Sequence, residues 1–379
     1  MSAAAAAATA CPLAANEVLG ASPPRVVDGP THDPGPPWAG VGPDRLRRVE
    51  DVAVDDGTVL PLYELGLSAG PTVLFVHGCG FAAASYRAHL EHVGRSCRVF
   101  AIDLRGHGSS RLAAPDRPAG LALERLALDL VPVIDRVTRR GGPPHIVAHS
   151  LGAVLALRLA AMDVCAIRTL TLFEPALLPQ TSSKGRQRAV DQLTRMALRA
   201  RAQSSRYGAP ETLAEHLRAI PTYAELDPGI LLGHARAVLR PTGQGDFERR
   251  CSPAFEAQIL DFLREDDEWP DLSRVRQPCA VVAGVTRSPR PLWMSDLAPE
   301  VAAALPAGTS DSVTGGGHLM LLAEPAQAAV VVRRVVGQSL DPLPRARFAR
   351  ASKCVGSPRG RGLQDERAAP GRPASRSGR

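Results

Sequence analysis

Short apolar runs alternate with longer stretches of helical spacing along most of this chain. TVLFVHG, RVFAIDL, HIVAHS, LTLFEP and CAVVAG are apolar almost throughout and end at polar, Gly or Pro positions, the pattern of strands buried on both faces. Stretches with helical periodicity follow at 83–93, 121–138, 151–162 and 325–336. Buried strands joined by helices predict an α/β fold with a mostly parallel, doubly wound sheet. Ahead of them, VEDVAVDDGTVLPLYEL sets an Asp-Asp-Gly turn between alternating stretches and predicts an edge hairpin. From 177 to 263 the rhythm breaks into a mostly helical, Pro-interrupted segment between two predicted strands, which reads as an inserted lid. No repeat at a solenoid or propeller period is present.

The two ends differ from this middle. Residues 1–44 are Ala-rich and then Pro/Gly-rich, with little to bury, and read as a disordered arm. Residues 342–379 have the same character with added positive charge, which leaves 45–341 as one catalytic domain. The formal net charge is +7, but ten basic residues against Asp365 and Glu366 put +8 in the tail and leave −1 for the rest. A nearly neutral domain and a tail without interleaved aromatics argue against a nucleic-acid partner.

Seven scattered cysteines without a CxxC or Cys/His cluster suggest neither a disulfide framework nor a metal site, and point to a reducing cytoplasm. The first residues lack the early Lys or Arg and the Leu-rich core of a secretory leader. No run is apolar and long enough to predict stable membrane insertion. Nothing in the chain specifies an oligomeric state, and no cofactor is expected.

HIVAHSLGAVLALRLA carries the strongest chemical signal: a β-rich run passes through Ser150 directly into an apolar helical pattern. A serine at such a turn is forced into an unfavourable backbone conformation, and its neighbours two positions away must be small, as Ala148 and Gly152 are. The turn lifts the hydroxyl clear of the sheet at a helix N-terminus, where negative charge is favoured. The plainer alternative is an ordinary helix-starting serine.

TVLFVHG ends at His77, Gly78, Cys79, Gly80 and Phe81, where glycines let the backbone aim N–H groups into a cleft. The backbone N–H groups of Cys79 and Leu151 are the candidate oxyanion-hole donors. His77 reads as a hydrogen-bonded loop histidine.

Of ten histidines, His318 alone follows a glycine run late in the chain, in SDSVTGGGHLMLLAEP, and is the candidate general base. His149 should point away from the nucleophile, while His89, His92, His216 and His234 read as helix-surface residues. For the acid, a Gly-x-x-Asp turn is expected after CAVVAG. The chain instead reads Gly284, Val285, Thr286, Arg287, Ser288. Glu174, at the end of LTLFEP, faces the same sheet edge and is favoured; Asp296 in LWMSDL is the alternative. Arg287 reads as a substrate-facing charge or a surface residue.

HGCGF, DLRGHGSS, AHSLG and GGGHLMLLAEP, in that order over about 72–336, resemble the α/β-hydrolase superfamily. The resemblance implies catalytic residues at strand C-terminal ends and a helical cap between the sixth and seventh strands. It also implies that Asp103, Arg105 and His107 form a mainly structural loop. A Ser nucleophile implies two-step acyl transfer on a small-molecule substrate, with the cap enclosing an apolar acyl group. The first reading is therefore a serine hydrolase of a carboxylic ester or lactone. A C–C bond hydrolase or thioesterase on the same scaffold, and a catalytically silent hydrolase-like binding protein, are the alternatives.

Overall fold

The five apolar runs come together as the centre of one sheet, in a computed structural model that describes residues 46–113, 122–286 and 291–339. Strands β1 Arg47–Ala53, β2 Val59–Gly66, β3 Thr72–Val76, β4 Arg98–Ile102, β5 His145–His149 and β6 Thr169–Phe173 come first. The short β7 Arg206–Tyr207, β8 Leu239–Pro241 and β9 Phe247–Arg249 form a sheet of their own, and β10 Cys279–Val285 and β11 Gly308–Thr314 return to the main one. The main sheet runs β1-β2-β4-β3-β5-β6-β10-β11. The β1–β2 hairpin forms the antiparallel edge, and every pairing from β4 onward is parallel.

The helices are α1 Arg87–Gly94, α2 Leu123–Leu128, α3 Leu130–Gly141, α4 Leu151–Met162, α5 Ser183–Ala202, α6 Pro210–Arg218, α7 Pro228–Val238, α8 Pro253–Glu265, α9 Met294–Ala304, α10 Met320–Ala323 and α11 Pro325–Gln338. Because successive strand side chains point to opposite faces, each buried strand feeds two cores. Leu74 and Val76 of β3 belong to one core, with Leu126, Val133, Leu155 and Val301. Val73 and Phe75 belong to the other, with Leu90, Val93, Ala328 and Val332. That two-sided burial requires the continuous apolar runs seen in the sequence.

Between β6 and β10 the chain inserts α5 to α8, the segment expected to be mostly helical, together with the unexpected β7-β9-β8 sheet. Strand β11, GTSDSVT, was not expected either. Of its side chains only Val313 is fully buried; its place is set by parallel pairing with β10 along its whole length.

The stretch 83–93 opens with a 3-10 turn at Ala83–Tyr86, and the helix expected over 121–138 is two helices meeting at Asp129. Asp129 is buried and bound by Arg105 through both carboxylate oxygens, at 2.7 and 2.9 Å.

Two histidines expected on helix surfaces are buried. His89 lies between the rings of Phe75 and Phe173, and His234 packs on Phe81. His92 is half-buried and His216 exposed. Among the described residues no helix is long and apolar enough to cross a membrane. The arm at 1–44, the tail at 342–379, Arg287 and Ser288 lie outside the described residues.

Candidate active site

Ser150 stands where β5 gives way to α4, with φ 54° and ψ −117°, a conformation that L-residues adopt at a cost of roughly 1–3 kcal/mol. The docking of α4 imposes that turn. Almost every side chain of this helix is buried, and it lies so close to β3 that a Cβ on Gly152 would press into the carbonyl oxygens of Val76 and His77. The Ser150 N–H donates to Phe173 O at 2.9 Å, fixing the turn to the neighbouring strand end.

Residues 77–81 pass beside this turn, and two buried histidines pin their backbone. His77 accepts the Leu104 N–H on Nε2 at 2.9 Å and donates from Nδ1 to Gly78 O. His107 accepts the Gly80 N–H on Nε2 at 3.0 Å and donates from Nδ1 to Arg105 O. Burial lowers the pKa of His77 to about 4 and, with His77 beside it, that of His107 to about 3. Each ring is therefore a neutral, single-tautomer hydrogen-bond bridge at pH 7. Between them the Cys79 N–H has no partner among the described residues, and the Leu151 N–H lies in the first turn of α4, where no earlier carbonyl of the helix can reach it.

The rest of the DLRGHGSS loop faces the protein. Asp103 accepts from Tyr63 O–H and from the Ala83 and Ser109 N–H groups, each at 2.8 Å. Arg105 ties Asp56 and Thr58 to Asp129. Neither these residues nor His107 lines the pocket at Ser150.

Glu174, at the end of β6, also has positive φ, 43°, and its carboxylate is fully buried. Oε2 accepts from His318 Nδ1 at 2.7 Å, and Oε1 accepts from Gly284 N–H at 2.8 Å and Ser295 Oγ at 2.7 Å. His318 reaches this position through Gly315, Gly316 and Gly317, whose φ values of 103°, 70° and 49° make a path closed to most other residues. With Nδ1 bound to a carboxylate, Nε2 is the ring nitrogen left for Ser150. Asp296 is not brought to His318: its side chain is 68% exposed and pairs with Arg188 at 3.0 Å. Ser295, one residue earlier on α9, is the one that faces the site.

His149 turns its ring away from Ser150 and has a role the sequence did not disclose. Nε2 lies 2.8 Å from His318 O and must donate to it, and Nδ1 then accepts from Tyr86 O–H at 2.8 Å. Tyr86 in turn accepts the Gly78 N–H at 3.3 Å. Burial, then the nearby His318, holds the His149 pKa well below its ordinary value, so the bridge stays neutral.

A cavity of about 120 Å³ opens on Ser150, His318 and Cys79 and is walled largely by apolar side chains of the insert, among them Leu193, Met196, Leu213 and Leu260. It also contains a buried ion pair that sequence reasoning missed, Arg249 Nη2 to Glu256 Oε2 at 2.6 Å, and the neutral His234. Burial and Arg249 lower the His234 pKa to about 3.

Comparison with known proteins agrees with this architecture. Residues 73–332 match the model of the alpha/beta hydrolase family. Protein phosphatase methylesterase 1 of Mus musculus is 30% identical over 134 residues, 34% of this chain and 33% of that protein. The pimeloyl-[acyl-carrier protein] methyl ester esterase of Methylococcus capsulatus is 34% identical over 103 residues, 27% of this chain and 36% of that protein. These matches span about a third of each relative's length. The crystal structure of E-2-(acetamidomethylene)succinate hydrolase superposes with a TM-score of 0.62 at 22% identity, covering 76% of this chain and 99% of that one, a likeness of fold. A mostly parallel eight-stranded sheet, a strained serine at a strand end and a family match over most of the chain lead to one assignment: the chain belongs to the alpha/beta hydrolase family.

Proposed function

We propose that this chain is a serine hydrolase of small carboxylic esters, with Ser150 as nucleophile, His318 as general base and Glu174 as the acid that orients it. The observation carrying this reading is the 2.7 Å contact between Glu174 Oε2 and His318 Nδ1, made beside a serine in a strained strand-to-helix turn. Relatives named as methyl ester esterases over part of their length support an ester as the bond cleaved.

Ser150 Oγ attacks the ester carbonyl while His318 Nε2 takes its proton, and Glu174 stabilises the imidazolium that forms. The Cys79 and Leu151 N–H groups receive the oxyanion. Collapse expels the alkoxide, protonated by His318, and water then releases the acid by the same steps in reverse order. The insert acts as the cap that shields the acyl group from bulk water, its apolar lining matching an apolar chain.

The test is turnover of a panel of methyl, ethyl and aryl esters, matched thioesters and a vinylogous 1,5-diketone, with acyl-enzyme trapping by intact-mass spectrometry. Ester turnover with an acyl adduct that disappears in Ser150→Ala is the expected result. Turnover confined to the diketone or the thioesters, or ester turnover retained by Ser150→Ala, contradicts the reading.

A further inference from the structure

The buried ion pair in the pocket holds more donors than its partners use. Arg249 is about nine-tenths buried at the end of β9; Nη2 donates to Glu256 and Nη1 to Gln203 Oε1. A guanidinium carries five N–H donors. Arg249 Nε is buried with no hydrogen-bond partner among the described residues. Arg199, which also lines the pocket, has no hydrogen bond or ion pair among the described residues. It stands four positions before Gln203, the residue that Arg249 Nη1 reaches, and lines the same pocket as Arg249. Tyr223 adds a phenol to the same wall, with no hydrogen-bond partner among the described residues.

The charges of this wall do not balance. Glu256 offsets one guanidinium and leaves the other, and His234 is neutral because burial lowers its pKa to about 3. His318 has its own carboxylate in Glu174. One positive charge remains, that of the exposed Arg199, beside a wall that is largely apolar, with Leu193, Met196, Leu213 and Leu260 among its side chains. A planar carboxylate matches the guanidinium fork, and one such group offsets the one remaining charge, which a tetrahedral phosphate does less well.

We propose that Arg249 and Arg199 bind a carboxylate of the substrate, so that the compounds cleaved are half-esters of aliphatic dicarboxylic acids. This rests on the serine-esterase reading above. The ester end lies at Ser150, the methylene chain runs along the apolar wall, and the free carboxylate takes the unused guanidinium donors.

The test compares, on the full chain, kcat/KM for monomethyl succinate, glutarate, adipate and suberate with methyl alkanoates of equal chain length. It adds calorimetric binding of adipate and of inorganic phosphate. The wild type is expected to favour one half-ester by roughly tenfold or more, and that preference ratio to fall roughly 10- to 100-fold in Arg249→Gln and in the more exposed Arg199→Gln. Adipate binding should weaken in parallel. No preference in an active wild type, an unchanged ratio in folded Arg199→Gln and Arg249→Gln, or phosphate binding tighter than adipate overturns the proposal and leaves the esterase reading standing. Adipate binding that both substitutions weaken, in a protein that turns over no ester, would instead overturn the esterase reading and with it the half-ester assignment, leaving only the carboxylate site.

Discussion

His149 donates from Nε2 to the backbone carbonyl of His318 across 2.8 Å, so the residue beside Ser150 also anchors the loop that carries His318. Through Tyr86 the same ring reaches the Gly78 N–H in the loop at residues 77–81. Replacing it with Phe strands a buried carbonyl and a buried phenol. We expect His149→Phe to lose about 1–3 kcal/mol in urea unfolding and to lower kcat more than it raises KM. Wild-type stability and kcat in this variant would show that the bridge positions nothing.

Glu174 and Asp296, as rival acids, make opposite predictions for two substitutions. Glu174→Gln keeps the shape of the carboxylate but removes the charge opposite His318 Nδ1, and kcat should fall by roughly 10²- to 10⁴-fold with KM little changed. Asp296→Asn touches only the exposed pair with Arg188 and should stay within about threefold of wild type. Steady-state kinetics on the two variants decides between the carboxylates, and the reverse ranking would move the acid to Asp296.

Buried neutral histidines predict weakness in acid. Burial lowers the pKa of His77 and His89 to about 4, and of His107 and His234 to about 3. Each is depressed below the ordinary value of 6.5, so the unfolded chain binds protons that the folded chain refuses. Their contribution is present above about pH 6.5 and is lost as pH falls toward 4 for His77 and His89 and toward 3 for His107 and His234, by up to about 1.4 kcal/mol per pH unit for each histidine. Urea unfolding between about pH 7 and pH 5 should show a steep fall in stability. A flat profile would mean that these rings accept protons in the folded state.

Gly152 is the backbone control for the turn at Ser150. A Cβ there meets the carbonyl oxygens of Val76 and His77, so Gly152→Ala should cost about 1–3 kcal/mol and slow acylation by displacing α4 from β3. Thermal unfolding read together with kcat/KM checks it; an unperturbed variant would mean the strand and helix are not held that closely.

What could be read from the sequence follows from where the information is local. Ser150 and His318 stand in continuous patterns, an apolar strand running into an apolar helix and a glycine run before a final helix, and the buried strands announce themselves by being apolar on both faces. Glu174 could be favoured only by the rule that strand ends share an edge, because its partners Gly284, Ser295 and His318 lie more than a hundred positions away. Strand β11 escaped because an edge strand held by backbone pairing needs no apolar alternation. The burial of His89 and His234, and the Arg249–Glu256 pair, arise where separate elements pack, and no spacing in the chain encodes that.

The most direct test of the central claim is labelling of the full chain with a fluorophosphonate probe, followed by peptide mapping, for wild type, Ser150→Ala, His318→Ala and Glu174→Gln. The account predicts a single adduct on Ser150, absent in Ser150→Ala, nearly absent in His318→Ala and slowed in Glu174→Gln. A folded wild type that does not label, or an adduct on another residue, would contradict it.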